Sequence, residues 1–403
     1  MAYRLTKTLV TAVAGLTLAT IAPAGVAHAA PAERTNEVPV LIGHRGASGT
    51  APENTVAAFK DGRASGADFF EIDVQLSSDG VPFLFHDDTP ARTTDVEEVF
   101  PGRANNPVTS FTWAELQQLD AGSYFSDKYV GERIPHLDDA AQVATTQTGV
   151  YIEIKSPVYS PGIEQVVADE LRNDPTWSRL VAAEKIQVLS FDEASNRRFA
   201  AIAPEIELQQ LTGVVPTRAV VESWATFADS VGTDYRVLTP QNVADVKGAG
   251  LILGVYTVNS PEAVQYSLDL GVDAVTTDFP IENQRFLQGQ PMFPGAGVEV
   301  TSSVNNPAGD DVQPENGEYV LLRNTSAASV DVSGAIIRDA ASSILTVGDG
   351  YVLAPGAELR VYTGPGTNSA QAYYNGGSVS VLNNGGDSVA LWIGTRLQDV
   401  FAN

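Results

Sequence analysis

The chain has 403 residues, with 24 lysines and arginines against 49 aspartates and glutamates and a formal net charge of −25. Such acidity disfavours nucleic acid and anionic membrane surfaces as non-specific partners, because both are themselves polyanions. With no cysteine present, a disulfide framework, thiolate chemistry and a cysteine zinc site are all excluded.

Arg4 and Lys7 open the chain, an apolar stretch fills 9–22, and Ala27-His28-Ala29 closes it. A basic start, an apolar centre and an A-x-A end predict a secretory signal over 1–30, cut after Ala29 or Ala30. The stretch is short and rich in small residues for a stable membrane span. The expected product is therefore secreted, extracellular or associated with the cell surface. Removing the leader leaves 22 basic against 49 acidic residues, a charge of −27, and only His44, His86 and His136 as histidines.

From residue 38 onward, short apolar runs alternate with helical patterns. The runs at 38–43, 69–73, 150–154, 186–189, 207–211, 251–258 and 274–277 read as buried strands. An eighth is required near 229–233 or 235–238. Helices are expected at 55–64, 113–119, 162–172, 193–201 and 240–247. About eight strand–helix units over roughly 250 residues predict a (β/α)8 TIM barrel across 36–290. An open doubly wound sheet would cluster its charged strand ends at one switch point. Here they come from the first, second, third and last strands.

Those strand ends carry the chemistry: His44-Arg45, Glu71-x-Asp73, His86-Asp87 and Glu153-x-Lys155. Between 69–76 and 81–86 lies Ser77-Ser78-Asp79-Gly80, and Asp-Gly between strands predicts a two-residue hairpin turn. That register sets Ser78 opposite Val81 and Asp73 opposite His86, with Glu71 on the same face as Asp73. A histidine beside an acidic pair, supported by Arg45 and Lys155, points to metal-assisted phosphate chemistry. Three carboxylates without thiols favour calcium or magnesium.

Glu53 also begins a helix, where an acid suits the N-terminus, and is read as a supporting residue or additional ligand. Asp87 and Asp88 read as loop structure, and His136 as structural at a helix start. Asp278 reads either as a partner for Arg45 or as structural. Gly43, Gly46 and Gly49 give the impression of a phosphate cradle without forming a nucleotide fingerprint.

A linker is expected at 291–300, after which the texture changes. Short runs at 318–323, 330–332, 335–338, 357–362, 378–381 and 388–393 are separated by Asn-Gly, Asp-Gly and Pro-Gly signals. This predicts an all-β, immunoglobulin-like sandwich over 301–403. It holds no catalytic constellation, and Asp310-Asp311, which offers carboxylates to calcium, reads as an exposed acidic loop instead.

Motif order now supports a resemblance. HRGASGTAPENT at 44–55, EIDVQLSSDG at 71–80, HDDTPARTT at 86–94, IPHLDDA at 134–140, EIK at 153–155, SFD at 190–192, VYTVN at 255–259 and GVDAVTTDFP at 271–280 together resemble the glycerophosphodiester phosphodiesterase family across about 38–286. The second part, about 300–403, resembles a lamin-tail-type immunoglobulin-like domain through NNPAGDD, NGEYVLLRNTS, DVSGAIIRD, LAPGAELRVYTG and NNGGDSVAL, with Ala335 where that family usually has tryptophan.

The first resemblance implies Glu71, Asp73 and Glu153 as metal carboxylates, His44 and His86 as the acid–base pair, and Arg45 and Lys155 as phosphate binders. Tyr256 stands where the family often has tryptophan and is expected in the pocket wall. The implied activity is metal-dependent hydrolysis of small glycerophosphodiesters to glycerol 3-phosphate and an alcohol. Phospholipase-D-like action, cleavage of teichoic polymers and non-catalytic surface binding stand as alternatives. The second domain is expected to attach the protein to a cell surface or polymer, its removal leaving turnover of a small diester unchanged.

Overall fold

The computed structural model describes residues 38–386 and 388–402; the predicted leader lies outside them. The first nine strands are β1 Val40–Gly43, β2 Phe69–Leu76, β3 Pro82–Leu84, β4 Gly149–Ile154, β5 Ile186–Ser190, β6 Glu207–Thr212, β7 Ser230–Asp234, β8 Ile252–Tyr256 and β9 Ala274–Thr277. Eight of them are parallel, and pairing of β1 with both β9 and β2 closes them into a barrel. The strand that the sequence could only bracket is β7.

Strand period explains the barrel's two faces. Along β2, Phe70, Ile72 and Val74 are fully buried in an apolar layer that includes Phe59, Leu137 and Ile152. Glu71 and Asp73 alternate with them and take the opposite face. Between the strands run helices with clear start signals. The first, α1 at Val56–Ala64, is capped by Thr55, whose hydroxyl accepts from the Ala58 N–H. His136 likewise caps the helix at Leu137–Val143, its ring accepting from Asp138 N–H. That is the structural role expected of it.

The hairpin differs from expectation by one residue. β3 runs antiparallel to β2 with Val74 opposite Leu84 and Leu76 opposite Pro82. Ser77 N–H donates to Val81 O at 3.0 Å and Gly80 has φ 82°, so the loop is Ser78-Asp79-Gly80, three residues with glycine in the left-handed position. Asp73 consequently faces Phe85, whose N–H donates to Asp73 O at 2.9 Å. A one-residue slip would send His86 to the wrong face of a continued ladder, but β3 ends at Leu84 and His86 lies beyond it.

The C-terminal domain opens with β10 at Val298–Val304, inside the segment read as a linker. It continues through β11 Tyr319–Asn324, β12 Val330–Asp331, β13 Ile336–Asp339, β14 Ile344–Thr346, β15 Val352–Leu353, β16 Glu358–Tyr362, β17 Ala372–Tyr374, β18 Ser388–Ile393 and β19 Arg396–Ala402. One sheet is ordered β10-β11-β16-β17 and another β14-β13-β18-β19, with β12 and β15 pairing separately. Their shared core includes Val320, Leu322, Ile337, Leu359 and Leu391, and Ala335 is fully buried in it. The strand expected at 378–381 is absent; that segment is irregular.

Candidate active site

Glu71, Asp73 and Glu153 converge. The neighbouring strands β2 and β4 set Asp73 directly beside Glu153, and each of the three presents a ligand atom within 4.8 Å of the others. All are buried: burial pushes the Glu71 carboxyl well above the ordinary range, reinforced by the charges of Asp73 and Glu153. Burial also raises Glu153, against the pull of Lys155. Asp73 goes the other way despite its burial, held down by His86, Lys155 and Arg45. Three carboxylates in one apolar setting leave uncompensated negative charge unless a cation joins them. Lys155 contributes one positive charge, its Nζ at 3.1 Å from Glu153 Oε1 and 3.7 Å from Asp73 Oδ1. The oxygen-only donor set fits a hard divalent ion such as calcium or magnesium.

The backbone around this trio is tightly tied. Arg45 N–H donates to Glu71 Oε2 at 2.8 Å. Asn54 Nδ2 donates to Asp73 Oδ2 at 2.7 Å while its Oδ1 accepts from Asp73 N–H at 3.1 Å. Arg45 and Asn54 both hold left-handed backbone, φ 49° and 52°, and Ser156 after Lys155 has φ 40°. Non-glycine residues in that region cost on the order of 1–3 kcal/mol each and gather at functional sites. The glycines of the first loop are packing residues. A Cβ on Gly46, whose φ is 94°, would lie 2.5 Å from Ala58 C, and one on Gly49 would lie 2.3 Å from the Phe279 ring.

Each site histidine is oriented by an aspartate. His44 Nδ1 lies 2.7 Å from Asp278 Oδ1, and His86 Nδ1 lies 2.7 Å from Asp87 Oδ1. Burial would raise the Asp278 carboxyl, but His44 and hydrogen bonds from Ser48 and Asn259 bring it down to about 2. Asp87 is also lowered, its burial outweighed by bonds from His86 and Arg92. An ionised carboxylate only accepts, so both Nδ1 atoms donate and each ring keeps Nε2 for other work. Asp278 is thus the partner of His44, not of Arg45. Asp87, read from sequence as loop structure, positions His86.

Arg45 binds Glu53 instead, Nη1 to Oε1 at 2.9 Å. Glu53 is further gripped by Arg92 through both oxygens, at 2.8 and 2.7 Å, and Arg92 also forks onto both oxygens of Asp87. Burial would raise Glu53, yet Arg45 and Arg92 bring it down to about 2. Glu53, His86 and Asp87 are near enough to share a metal ion, but the arginines already occupy these carboxylates. Sequence reasoning missed Arg92 altogether. It sits in HDDTPARTT, five residues after Asp87, where only the tertiary fold shows that it reaches Glu53. Among the described residues, Arg45 Nε is buried with no hydrogen-bond partner and remains 3.6 Å from Asp73 Oδ2.

A cavity of about 460 Å³ opens over these groups and is lined by His44, Arg45, Glu71, His86, Glu153 and Lys155. Tyr256 is in its wall, its hydroxyl donating to Thr212 O at 2.8 Å. Among the described residues no helix is long and apolar enough to cross a membrane, and Asp310 and Asp311 belong to neither cluster able to hold a metal.

Comparison with known proteins agrees with this geometry. The Glycerophosphoryl diester phosphodiesterase family model matches residues 44–282, and the Lamin Tail Domain model matches 292–400. A glycerophosphodiester phosphodiesterase of Bacillus subtilis (strain 168) is 30% identical over 253 residues, covering 60% of this chain and 84% of that protein. One from Caldanaerobacter subterraneus subsp. tengcongensis is 34% identical over 247 residues, covering 60% and 94%. Among solved structures, an Oleispira antarctica phosphodiesterase in complex with the product sn-glycerol-3-phosphate is 30% identical, with a TM-score of 0.51 over 61% of this chain and 96% of that one.

Proposed function

The chain belongs to the glycerophosphoryl diester phosphodiesterase family, which makes it a phosphoric diester hydrolase, and we propose that it cleaves small glycerophosphodiesters to glycerol 3-phosphate and an alcohol with His44 and His86 as its acid–base pair. The observation that carries this reading is the meeting of three buried carboxylates with two imidazoles that are each held by an aspartate. The product complex of the Oleispira antarctica relative supports the glycerol phosphate end of the substrate.

Glu71, Asp73 and Glu153 would hold the divalent ion, calcium or magnesium, which when bound offsets the charge that develops on the phosphoryl oxygens. Lys155 and Arg45 add donors to the same anionic group, Arg45 with Nε still uncommitted. One imidazole takes the proton from the attacking oxygen, and the other supplies a proton to the departing one, each worth roughly 10²–10⁴ in rate. The attacking oxygen is water, or it is the neighbouring hydroxyl of the glycerol moiety, which expels the alcohol and forms a cyclic phosphate that water then opens to glycerol 3-phosphate; both routes use the same two rings. Asp278 and Asp87 keep the rings in the tautomer that leaves Nε2 available.

The test is release of glycerol 3-phosphate from glycerophosphoethanolamine. Turnover is expected from the purified protein, its loss in a chelator, and its return with calcium or magnesium. Activity that survives exhaustive chelation would remove the metal, and failure to cleave any diester would remove the whole reading. The N-terminal pattern supports export, for which the check is a secreted form whose first residue is Ala30 or Pro31.

A further inference from the structure

The sandwich does not stand apart from the catalytic cavity. Arg338, Ala340, Ser342, Asn383 and Ser388 line it together with the barrel residues. At the base of this contact the Phe279 ring, one residue after Asp278, is buried in an apolar cluster with Ala390, Leu397 and Val400 of β18 and β19. Polar links cross the same boundary. Asn259 Nδ2 donates to Ser388 Oγ at 3.1 Å and to Asp278 Oδ2 at 2.6 Å, so one amide connects the sandwich to the carboxylate that orients His44. On the other flank, Arg338 stacks its guanidinium 4.1 Å from the centre of the Phe125 ring and donates from Nη2 to Phe125 O at 2.9 Å. Arg338 is 9% exposed, and its Nη1 has no partner among the described residues. Leaving such a buried donor unpaired is costly, and a bound molecule in the cavity brings acceptor oxygens to that wall.

We propose that the C-terminal sandwich forms the outer wall of the active-site cavity and selects compact diesters, with Arg338 and Ala340 as specificity-determining residues. The inference deepens the phosphodiesterase reading and rests on it. A barrel mouth alone is open above its strand ends, where loops set what enters. Here a second domain covers part of that mouth. The resulting volume of about 460 Å³ lies toward the small end of the roughly 300–1,000 Å³ typical of pockets that bury most of a small ligand. Substrates bearing long chains or polymer tails would have to displace the wall. This disfavours the lysolipid and teichoic-polymer alternatives, and it runs against the expectation that removing the module leaves turnover of a small diester unchanged.

The experiment compares kcat/KM of the full chain for glycerophosphocholine and its soluble analogue with one N-methyl group replaced by n-hexyl, which carry the same quaternary charge and differ in bulk on the alcohol. The wild-type protein should prefer the compact diester at least tenfold. Arg338→Ala, which removes the wall's largest side chain, should narrow that preference several-fold. Ala340→Trp, at an exposed position where loss of folding is not expected, should raise KM for both compounds and widen the preference, leaving kcat within about threefold. Equal wild-type rates for the two diesters, or a preference that neither substitution moves, would overturn the proposal. No turnover of either compound by wild-type protein would instead bring down the phosphodiesterase reading beneath it.

Discussion

Two groups of acids sit side by side in this barrel mouth, one lowered throughout and the other raised at two of its three members. Glu53 is 9% exposed and Glu153 8%, with Glu71 and Asp73 at 4% and 1%, so burial alone does not separate the groups, although Asp87 is only half-buried. Cations do. Glu53 and Asp87 are matched by Arg45 and Arg92, two charges against two, and both acids are driven below their ordinary range. Among the described residues, Glu71, Asp73 and Glu153 have Lys155 as the one lysine or arginine in direct contact beyond the shared Arg45, and two of the three are raised. The first group is a closed structural network that aims His86. The second keeps carboxylates close enough to share a metal ion, and on the proposed reading it is the group that such an ion would complete.

Substitutions should expose that contrast most sharply through activity. Glu71→Gln removes a carboxylate from the incomplete trio, and diester turnover should fall by far more than the ~10–100-fold that loss of a supporting partner costs. Arg92→Ala strikes the closed network. It leaves buried charge under-compensated, so chemical denaturation should show a loss of about 3 kcal/mol, with turnover reduced but still restored by added divalent ion. A larger effect of Arg92→Ala than of Glu71→Gln on turnover would reverse the assignment of the two groups.

Smaller effects follow at the edges of the comparison. Asn54→Ala strips Asp73 of both reciprocal hydrogen bonds and should cost about 1–3 kcal/mol, most of it recovered when a divalent ion binds. Asp399, in the sandwich, is a half-buried acid without an expected ion: its partial burial pushes it up to about 6, although Val300 N–H donates to it at 2.8 Å. Because its folded pKa is raised, the stability it contributes is complete below its unfolded value near 4 and is lost as pH rises through 6. Asp399→Asn should flatten the melting temperature between pH 4 and 6 and add roughly 1 kcal/mol at pH 7. An Asp399→Asn variant that gains no stability over wild type as pH rises through that interval would contradict the sign.

Much of the barrel and the trio was legible because strands alternate faces. Phe70-Glu71-Ile72-Asp73-Val74 announces which side chains go to the mouth, and Glu153 at the end of the next parallel strand must arrive beside them. The hairpin register was misread because Asp-Gly was taken as the whole turn, whereas Ser78 joins it and Gly80 alone carries the left-handed conformation. Asp278 was read as a partner for Arg45 or as structural, and its pairing with His44 was not foreseen, since adjacent residues on a bend diverge and only the fold decides which one meets it. Arg92, Asn259 and the wall built by Arg338 and Ala340 act across long sequence separations, and no local pattern reports such pairings. In the sandwich, the segment 378–381 has strand-forming residues but gains no neighbouring strand, so its propensity goes unused.

Calorimetric titration of calcium and magnesium into chelator-treated protein tests the assignment of the trio most directly. One divalent ion should bind the wild-type chain and the Glu53→Gln variant alike, and binding should be abolished or weakened at least a hundredfold in Glu153→Gln. Undiminished binding in Glu153→Gln, or binding lost only in Glu53→Gln, would place the ion elsewhere and contradict the account.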